Sequence, residues 1–217
     1  MMLFERIFCF SIFNAYFCQL KIRKMTVIAE EKIYTVEEYF ELEKHSEIRH
    51  EFVNGKLIPM PGESVIANLI ADNCGYNLRT QLSKKGYVII RHDVRAIIQT
   101  RKIYRYPDVS VAKLSEITET HAITKPEMLI EVTSESSSKI DHDDKLKQYT
   151  TLPSLQYYMI ISQEEMLVEL YSRDEKGWRF EIFFNPLDKI ELPYFKGHLQ
   201  LMDIYENVQF AESKSDE

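Results

Sequence analysis

The sequence predicts a mixed α/β (α+β) domain whose core runs helix, three strands, helix, strand, with a β-hairpin before it and antiparallel strands after it. Three observations predict this fold. Apolar residues recur at spacings of three and four within Ser64–Lys85, which places them on one face of a long helix. Asn54-Gly55 precedes that helix as a two-residue hairpin signal. Short apolar runs with turn residues between them follow it.

The N-terminal elements carry their own start and turn signals. Thr35-Val36-Glu37-Glu38 forms a capping box, which predicts a helix that runs to about Lys44. The segment Glu51–Met60 is predicted to be a hairpin, because Asn54-Gly55 at its centre tolerates the positive φ angles of a tight turn. The long helix that follows is predicted to end at Gly86.

The remaining elements are predicted from short runs rich in strand-forming residues. Strands are predicted at Tyr87–Ile90, Val94–Ile98, Asp108–Ala112, Met128–Val132 and Leu155–Ile161, with a helix near Asp141–Tyr149 before the last of them. Half-exposed antiparallel strands are predicted at Met166–Tyr171, Trp178–Phe184 and Lys189–Leu192.

Two acidic residues stand where buried strands begin and end. Asp108 follows Pro107, and Glu131 emerges from the apolar run Met128–Ile130. Two such carboxylates can meet at one sheet edge and hold Mg²⁺, or Mn²⁺ in its place, because hard cations prefer oxygen ligands. A cation there can activate a water and neutralise charge on a phosphate. The alternatives are structural: Pro-Asp commonly begins a strand or turn, and Glu131 could pair with an arginine such as Arg95.

A lysine from the short helix could complete this site. The candidates are Lys139, Lys145 and Lys147. Lys145 and Lys147 are about 200° apart on a helix, so only one of them can face the sheet. Tyr149 lies four residues after Lys145 and places it beside the buried stripe. The alternative for Lys145 is a surface pair with Asp141. Together these features outline a metal-dependent phosphodiesterase of nucleic acid.

The net charge of −7 disfavours a protein that coats nucleic acid non-specifically. The basic residues nevertheless concentrate just before Asp108, at Arg79, Lys84, Lys85, Arg91, Arg95, Arg101, Lys102 and Arg105. A phosphate at the proposed metal site would need such counter-charge, which makes Arg95 and Arg105 candidates for phosphate contacts. The alternative is a solvated charged face without a partner.

The cysteines and histidines disfavour two other kinds of site. Cys9, Cys18 and Cys74 form no CxxC motif or pairing pattern, and the six histidines lack HExxH spacing. A disulfide framework and a zinc site are therefore not expected, and a reducing cytoplasm is the expected compartment.

The chain is predicted to divide into three parts. Residues 1–24 form an apolar extension that is expected to be non-native or disordered; a membrane-associating segment is the alternative, although its apolar run is shorter than the ~20 residues of a membrane span. Residues 25–212 form a single domain, and no membrane contact is expected for residues 25–217. Residues 213–217 are a frayed polar tail.

Five stretches together resemble the Uma-type restriction endonucleases of the PD-(D/E)XK nuclease superfamily. They are His50–Lys56, Asp93–Arg95, Tyr106–Val109, Ile130–Ser134 and Asp141–Tyr149, and the resemblance extends from about Thr35 to Phe210. It implies a restriction-endonuclease-like core, DNA as the partner and Mg²⁺-dependent endonuclease activity. A homodimer is expected, since cutting both strands takes two active sites related by a two-fold axis.

The resemblance also implies roles for single residues. Asp108 and Glu131 would bind Mg²⁺, with the backbone carbonyl of Val132 as a third oxygen. Lys145, at the family's Asp-x-x-x-Lys position, would hold the scissile phosphate or steer the attacking water. Glu51 resembles an upstream acidic residue that assists the metal; the alternative is a routine charged residue beside a hairpin.

The sequence departs from the superfamily pattern at two positions. Thr133 stands where the standard motif places its lysine, so the cation must come from elsewhere. Ala67 stands where the family often carries a histidine, which removes one polar group. Two other functions therefore stay open: a catalytically silent nuclease fold that binds nucleic acid or a protein, and hydrolysis of a small phosphodiester.

Overall fold

Two mixed β-sheets organise the described residues, which are 32–60, 62–99, 102–134 and 137–210 of a computed structural model. The extension predicted for residues 1–24 and the tail predicted for residues 213–217 lie outside these ranges, as does Arg101 of the basic stretch. In chain order the elements are α1 (Val36–His45), β1 (His50–Val53), β2 (Lys56–Pro59), α2 (Val65–Leu82), β3 (Tyr87–Arg91), β4 (Arg95–Ile98), β5 (Ile103–Arg105), β6 (Val109–Lys113), β7 (Ala122–Ile123), β8 (Met128–Thr133), α3 (Ser138–Ile140), α4 (Leu146–Tyr149), β9 (Tyr157–Ser162), β10 (Val168–Asp174), β11 (Gly177–Phe183), β12 (Lys189–Leu192), β13 (Gly197–Gln200) and α5 (Leu201–Ile204).

The predicted start signals and turns are confirmed. Thr35 caps α1 with the reciprocal Glu38 hydrogen bonds of a capping box. Strands β1 and β2 pair antiparallel around Asn54 and Gly55, whose φ angles of 50° and 90° fit a tight hairpin turn. Helix α2 begins at the Ser64 cap. None of the helices in the described part of the chain is long and apolar enough to cross a membrane.

The larger sheet contains the predicted core. Its six strands lie in the order β11-β10-β9-β8-β6-β3, with β8 and β9 parallel and the other neighbours antiparallel. Helix α2 covers one face and buries Ala67, Ile70, Cys74 and Leu78 against it. Tyr149 of α4 packs on the other face against Leu129, Tyr158 and Ile160. The predicted order of helix, three strands, helix and strand is therefore confirmed in α2, β3, β6, β8, α3–α4 and β9.

A second sheet, in the order β2-β1-β5-β4-β7, holds the hairpin and the strand predicted near Val94–Ile98. The sequence did not predict β5 and β7, because strands of three and two residues give little periodic signal. Strand β5 links the two sheets. It pairs with β1 and ends at Arg105, and Tyr106–Asp108 then carries the chain into β6 of the larger sheet.

The C-terminal strands β10 and β11 extend the larger sheet antiparallel, as predicted. Strand β12 forms a separate two-stranded sheet with β13, which the sequence did not predict. Asn73 of α2 donates through its amide to the carbonyl oxygen of Ile204 in α5, at 3.0 Å. These elements lie on the α2 face, and the opposite face of the larger sheet packs against α4 and against β4 and β5 of the second sheet.

Candidate active site

Asp108 and Glu131 lie on neighbouring strands at one end of the larger sheet. Val109 of β6 pairs with Ile130 of β8, so the antiparallel register continues to place Asp108 across from Glu131. Both carboxyls are buried, with 8% and 3% of each residue exposed. The backbone N–H of Val132 donates to Asp108 Oδ2 at 2.6 Å, which fixes the Asp108 side chain against the end of β8.

Glu131 is held by two side chains from the helix above the sheet. The Tyr149 hydroxyl donates to Glu131 Oε1 at 2.7 Å, and Lys145 Nζ lies 2.8 Å from Glu131 Oε2. Lys145 Nζ also lies 2.9 Å from Oδ1 of Asp141, which is itself buried. Glu131 therefore pairs with Lys145. The alternative predicted from the sequence was a salt bridge with an arginine such as Arg95.

The chain segment that delivers Lys145 has an unusual backbone. Residues Asp141–Lys145 form a single π-helical turn between α3 and α4. Such turns are rare and occur often at functional sites. From the sequence, Asp141 is expected only as a surface partner of Lys145, and Tyr149 only as the residue that places Lys145 beside the buried stripe; the pair with Asp141 does form, but it is buried. Their positions four residues before and after Lys145 were the signal that all three side chains share one helix face.

The other two candidate lysines do not enter the site. The Lys147 side chain is 76% exposed and lies 3.9 Å from Asp143, whereas that of Lys145 is 13% exposed. Lys139 is exposed as well. Thr133, at the standard lysine position, uses its hydroxyl locally, at 3.1 Å from Ser137 Oγ and 3.2 Å from the Ser134 carbonyl oxygen. Lys145 is therefore the lysine that reaches Glu131.

Glu51 is tied to the loop that leads to Asp108. It forms a buried ion pair with Nη1 of Arg105, and the backbone N–H of Tyr106 donates to Glu51 Oε1 at 3.3 Å. Arg105 also donates through Nε to Gln148 Oε1 at 3.0 Å. Arg105 is only 2% exposed, so its placement does not support the predicted phosphate contact. The buried pair instead braces β1 and α4 around the site.

Arg95 lies on β4 of the second sheet, outside the group of residues around Glu131. Its Nε donates to the Tyr106 hydroxyl at 2.6 Å, and its guanidinium lies 5.0 Å from the centre of the Phe40 ring. It lines a cleft with Glu43 and His121 rather than the space around Glu131. The predicted phosphate contact of Arg95 is therefore not supported either, because aromatic rings occupy its charged end.

The carboxyls hold protons more tightly than exposed ones do. Burial raises the pKa of Asp108 to about 7, although the hydrogen bond from Val132 opposes this. Burial also raises the pKa of Glu131 to about 8, against the opposing charge of Lys145. The pKa of Lys145 is raised, because the charges of Glu131, Glu51 and Asp141 outweigh its burial. Acidic groups outnumber cations here, so ionisation of both carboxyls would leave the site with an excess of negative charge.

This excess and the all-oxygen donors fit a hard divalent cation. Mg²⁺ is commonly held by one or two carboxylates, with waters and substrate phosphates in the other positions. Asp108 and Glu131 supply such a pair. Within the described ranges no three His, Cys, Asp or Glu side chains converge as a metal site, so the pair would depend on further oxygen ligands. Glu63 is a candidate for added charge, since its charge also raises the pKa of Asp108.

A cleft of about 600 Å³ opens beside the end of β8. Thr133, Ser134, Lys139 and His142 are among its lining residues. His142 Nε2 lies 2.9 Å from Glu169, and its Nδ1 lies 2.7 Å from the Ser138 carbonyl oxygen. Despite its partial burial, these partners raise the pKa of His142. The sequence analysis missed His142, since a lone histidine inside an acidic run carries no motif.

Comparisons with known proteins agree with this fold. The Uma2 family model, described as "Putative restriction endonuclease", matches residues 36–203. Protein sll1609 of Synechocystis sp. (strain ATCC 27184 / PCC 6803 / Kazusa) is 32% identical over 176 residues, which cover 79% of this chain and 99% of that protein. Protein slr1290 of the same organism is 26% identical over 175 residues, which cover 80% of this chain and 92% of that protein.

A solved structure shares the architecture. The crystal structure of "a putative nuclease belonging to DUF820" from Anabaena variabilis ATCC 29413 aligns with a TM-score of 0.67 at 20% sequence identity. The alignment covers 79% of this chain and 97% of that protein. At this low sequence identity, the structural similarity establishes that the two chains share a fold.

Proposed function

The chain belongs to the Uma2 family of restriction-endonuclease-like proteins, and on that premise we propose that it is a metal-dependent endonuclease that hydrolyses DNA phosphodiester bonds. The expected cofactor is Mg²⁺, with Mn²⁺ able to replace it. The observation that carries the proposal is the contact between Lys145 and Glu131 beside Asp108. A cation and two carboxyls at one sheet end support a site that could bind a metal ion and a phosphate.

Asp108 and Glu131 are the proposed metal ligands. When bound, the cation would supply Lewis acidity and charge neutralisation at the phosphate. Its positive charge would also lower the raised carboxyl pKa values and leave both ligands ionised at neutral pH. The Val132 N–H holds Asp108, and the Tyr149 hydroxyl holds Glu131, so both side chains are fixed at this end of the sheet.

Lys145 is the proposed phosphate-contacting residue. Its ammonium is ionised, because three neighbouring carboxyls raise its pKa. A cation on Glu131 would compete with Lys145 for the carboxylate oxygens and free its donors for a phosphate oxygen. Asp141 holds Lys145 from the helix side and limits how far the ammonium can move.

Glu51 is proposed to position rather than to bind substrate. Its ion pair with Arg105 holds the strand that leads into Tyr106–Asp108. It also raises the pKa of Lys145, which places its charge within electrostatic reach of the site.

DNA is the proposed partner, a homodimer the proposed assembly and the cytoplasm the proposed compartment. Two sites related by a two-fold axis suit the antiparallel strands of duplex DNA. The acidic surface does not preclude this, because the local charge at the site decides how a phosphate is bound.

Plasmid cleavage tests the proposal. Supercoiled plasmid incubated with the protein and MgCl₂ should be nicked or linearised, and EDTA should abolish the reaction. A panel of duplex, single-stranded and dinucleotide substrates separates an endonuclease from an enzyme for small phosphodiesters. Equal cleavage with and without EDTA would contradict the proposed metal dependence.

A catalytically silent fold that binds nucleic acid or protein is the second candidate. The net charge of −7 keeps this candidate open, and favours a protein partner in particular, since an acidic surface does not attract a polyanion. DNA binding in a gel-shift assay without cleavage in Mg²⁺ or Mn²⁺ would favour this candidate over the enzyme.

A further inference from the structure

Strand β11 is the outer strand of the larger sheet and presents apolar side chains to solvent. Trp178, Phe180 and Ile182 alternate along it and therefore share one face. Phe180 is 47% exposed and Ile182 is 49% exposed in the described part of the chain. An exposed apolar outer strand is a template for pairing with another strand, and isolated proteins usually protect such edges with charges, prolines or bulges.

The backbone N–H and C=O groups of these same residues point away from β10, toward the open edge of the sheet. The Arg173 N–H donates to the Gln156 carbonyl oxygen, so odd-numbered residues of β10 direct their backbone groups to the β9 side. The even-numbered residues of β10 must therefore form their backbone hydrogen bonds with β11. Ser172, for example, pairs with Arg179. The backbone N–H and C=O of Phe180, and of the residues two positions away on either side, then face outward.

A row of aromatic rings in contact leads to this edge. Tyr149 and Tyr158 lie 5.1 Å apart between ring centres, Tyr158 and Tyr171 lie 6.1 Å apart, and Tyr171 and Phe180 lie 4.8 Å apart. The row crosses β9 and β10 and ends at the half-exposed Phe180. A second aromatic ring beside Phe180 would extend the row and bury its outer face.

The charges on the other face of β11 are self-complementary. Arg179 and Glu181 flank Phe180, with Arg179 Nη2 2.9 Å from Glu181 Oε2. Suppose that two β11 strands pair antiparallel about a two-fold axis at Phe180. Arg179 then faces Glu181 of the partner subunit, and Glu181 faces Arg179 of the partner subunit. Trp178 then faces Ile182 of the partner subunit. One register thus satisfies the apolar row, the charges and the outward backbone groups.

We propose that two copies of this chain dimerise through β11, antiparallel about Phe180, so that their six-stranded sheets join into one sheet of twelve strands. The occupant of the edge is a second copy, because the sequence of β11 is complementary to itself in this register. The dimer proposal does not depend on the nuclease proposal. A dimer that does not cleave DNA would support the dimer proposal alone, and a monomer that cleaves DNA would support the nuclease proposal alone.

The first test measures the mass of the full chain in solution. Light scattering and sedimentation should give twice the 25.7 kDa of one chain. Phe180→Glu should convert the dimer to a monomer, since it places two like charges at the two-fold axis. Leu114→Glu is the matched control: Leu114 is 63% exposed, is remote from β11, and its replacement should leave the dimer intact.

The second test exchanges charges and depends on the register itself. Arg179→Glu alone places Glu opposite Glu181 of the partner subunit, and Glu181→Arg alone places Arg opposite Arg179 of the partner subunit. Each variant should raise the dimer Kd at least about tenfold, because two like-charged pairs arise per dimer. An equimolar mixture of the two variants should form a heterodimer, since both cross-strand pairs then have opposite charges.

Four results would contradict the proposal. The full chain could stay monomeric at all concentrations. It could dimerise with no effect of Phe180→Glu, which would place the interface elsewhere. It could be a monomer in which the β11 amides resist hydrogen exchange, which would mean that another segment of the chain covers this edge. Failure of the variant mixture to associate would exclude the two-fold register.

Discussion

The ammonium of Lys145 lies 2.8 Å from Oε2 of Glu131, although one residue is on a helix and the other on a strand. The PD-(D/E)XK motif, which the sequence resembles, places its lysine two residues after the second acid, where this chain has Thr133. A lysine at the end of the π-helical turn brings the same charge to the same carboxylate from above the sheet. The constellation is therefore assembled from two elements instead of one strand.

The three lysines near the site should differ sharply in importance. Lys145→Ala should reduce plasmid cleavage by roughly 10²–10³-fold, because it removes the charge-assisted contact to the phosphate. Lys147→Ala and Lys139→Ala should retain most activity, since both side chains are exposed. Initial cleavage rates of the three variants under one set of conditions provide the measurement.

A folding control is needed for Lys145→Ala, because Asp141 and Glu131 lose their cation in this variant. Circular dichroism spectra and melting temperatures separate loss of fold from loss of activity. A folded Lys145→Ala protein with wild-type cleavage would exclude any role for this lysine in the reaction.

The metal-free protein should become less stable as the pH rises. Burial raises the pKa of Asp108 to about 7 and that of Glu131 to about 8, far above the ordinary values of about 3.9 and 4.3. The folded state therefore retains protons that the unfolded chain has released. This stabilisation is complete below the unfolded pKa values and is lost as the pH rises through about 7 to 8.

Melting temperatures in EDTA between about pH 5 and pH 9 measure this effect. The wild type should lose stability more steeply with pH than Glu131→Gln, whose amide does not titrate. Added Mg²⁺ should stabilise the wild type more at high pH than at low pH, because the cation competes with protons. Parallel pH profiles for the two proteins would contradict the raised pKa of Glu131.

The buried Glu51–Arg105 ion pair should contribute more to the free energy of unfolding than the exposed salt bridges do. Arg105→Ala should lower the free energy of unfolding by about 3–5 kcal/mol, because it leaves a buried carboxylate without its partner. Lys44→Ala, which breaks an exposed pair with Glu41, is the control and should have a much smaller effect. Urea unfolding of both variants compares them. Similar losses would mean that Arg105 is more solvated than its 2% exposure indicates.

The sequence predicted the elements whose signals are local. The Thr35 capping box, the Asn54-Gly55 turn and the apolar stripe of α2 each depend on residues within one element, and all three are confirmed. The orientation of the short helix was also predictable, because the angle between Lys145 and Lys147 follows from helix geometry. The structure places Lys145 inward and Lys147 outward accordingly.

Features that depend on pairing across the fold were not predictable. Strand β5 has three residues, and its partner β1 is far away in the sequence, so neither its existence nor the division into two sheets was visible. The burial of Arg105 follows from that division. A run of basic residues predicts a charged face, but only the tertiary structure reveals that Arg105 pairs with Glu51. The phosphate contact predicted for Arg105 therefore stays a prediction that its burial does not support.

Cleavage of one plasmid by the wild type, Glu131→Gln, Asp108→Asn and the double variant in MgCl₂ tests the central proposal most directly. The carboxylates are proposed to act as one metal-binding unit. The wild type should therefore cut, each single variant should lose nearly all activity, and the double variant should be little worse than either. Wild-type cleavage by a folded Glu131→Gln protein would contradict the assignment of Glu131 as a metal ligand, and with it the proposed active site.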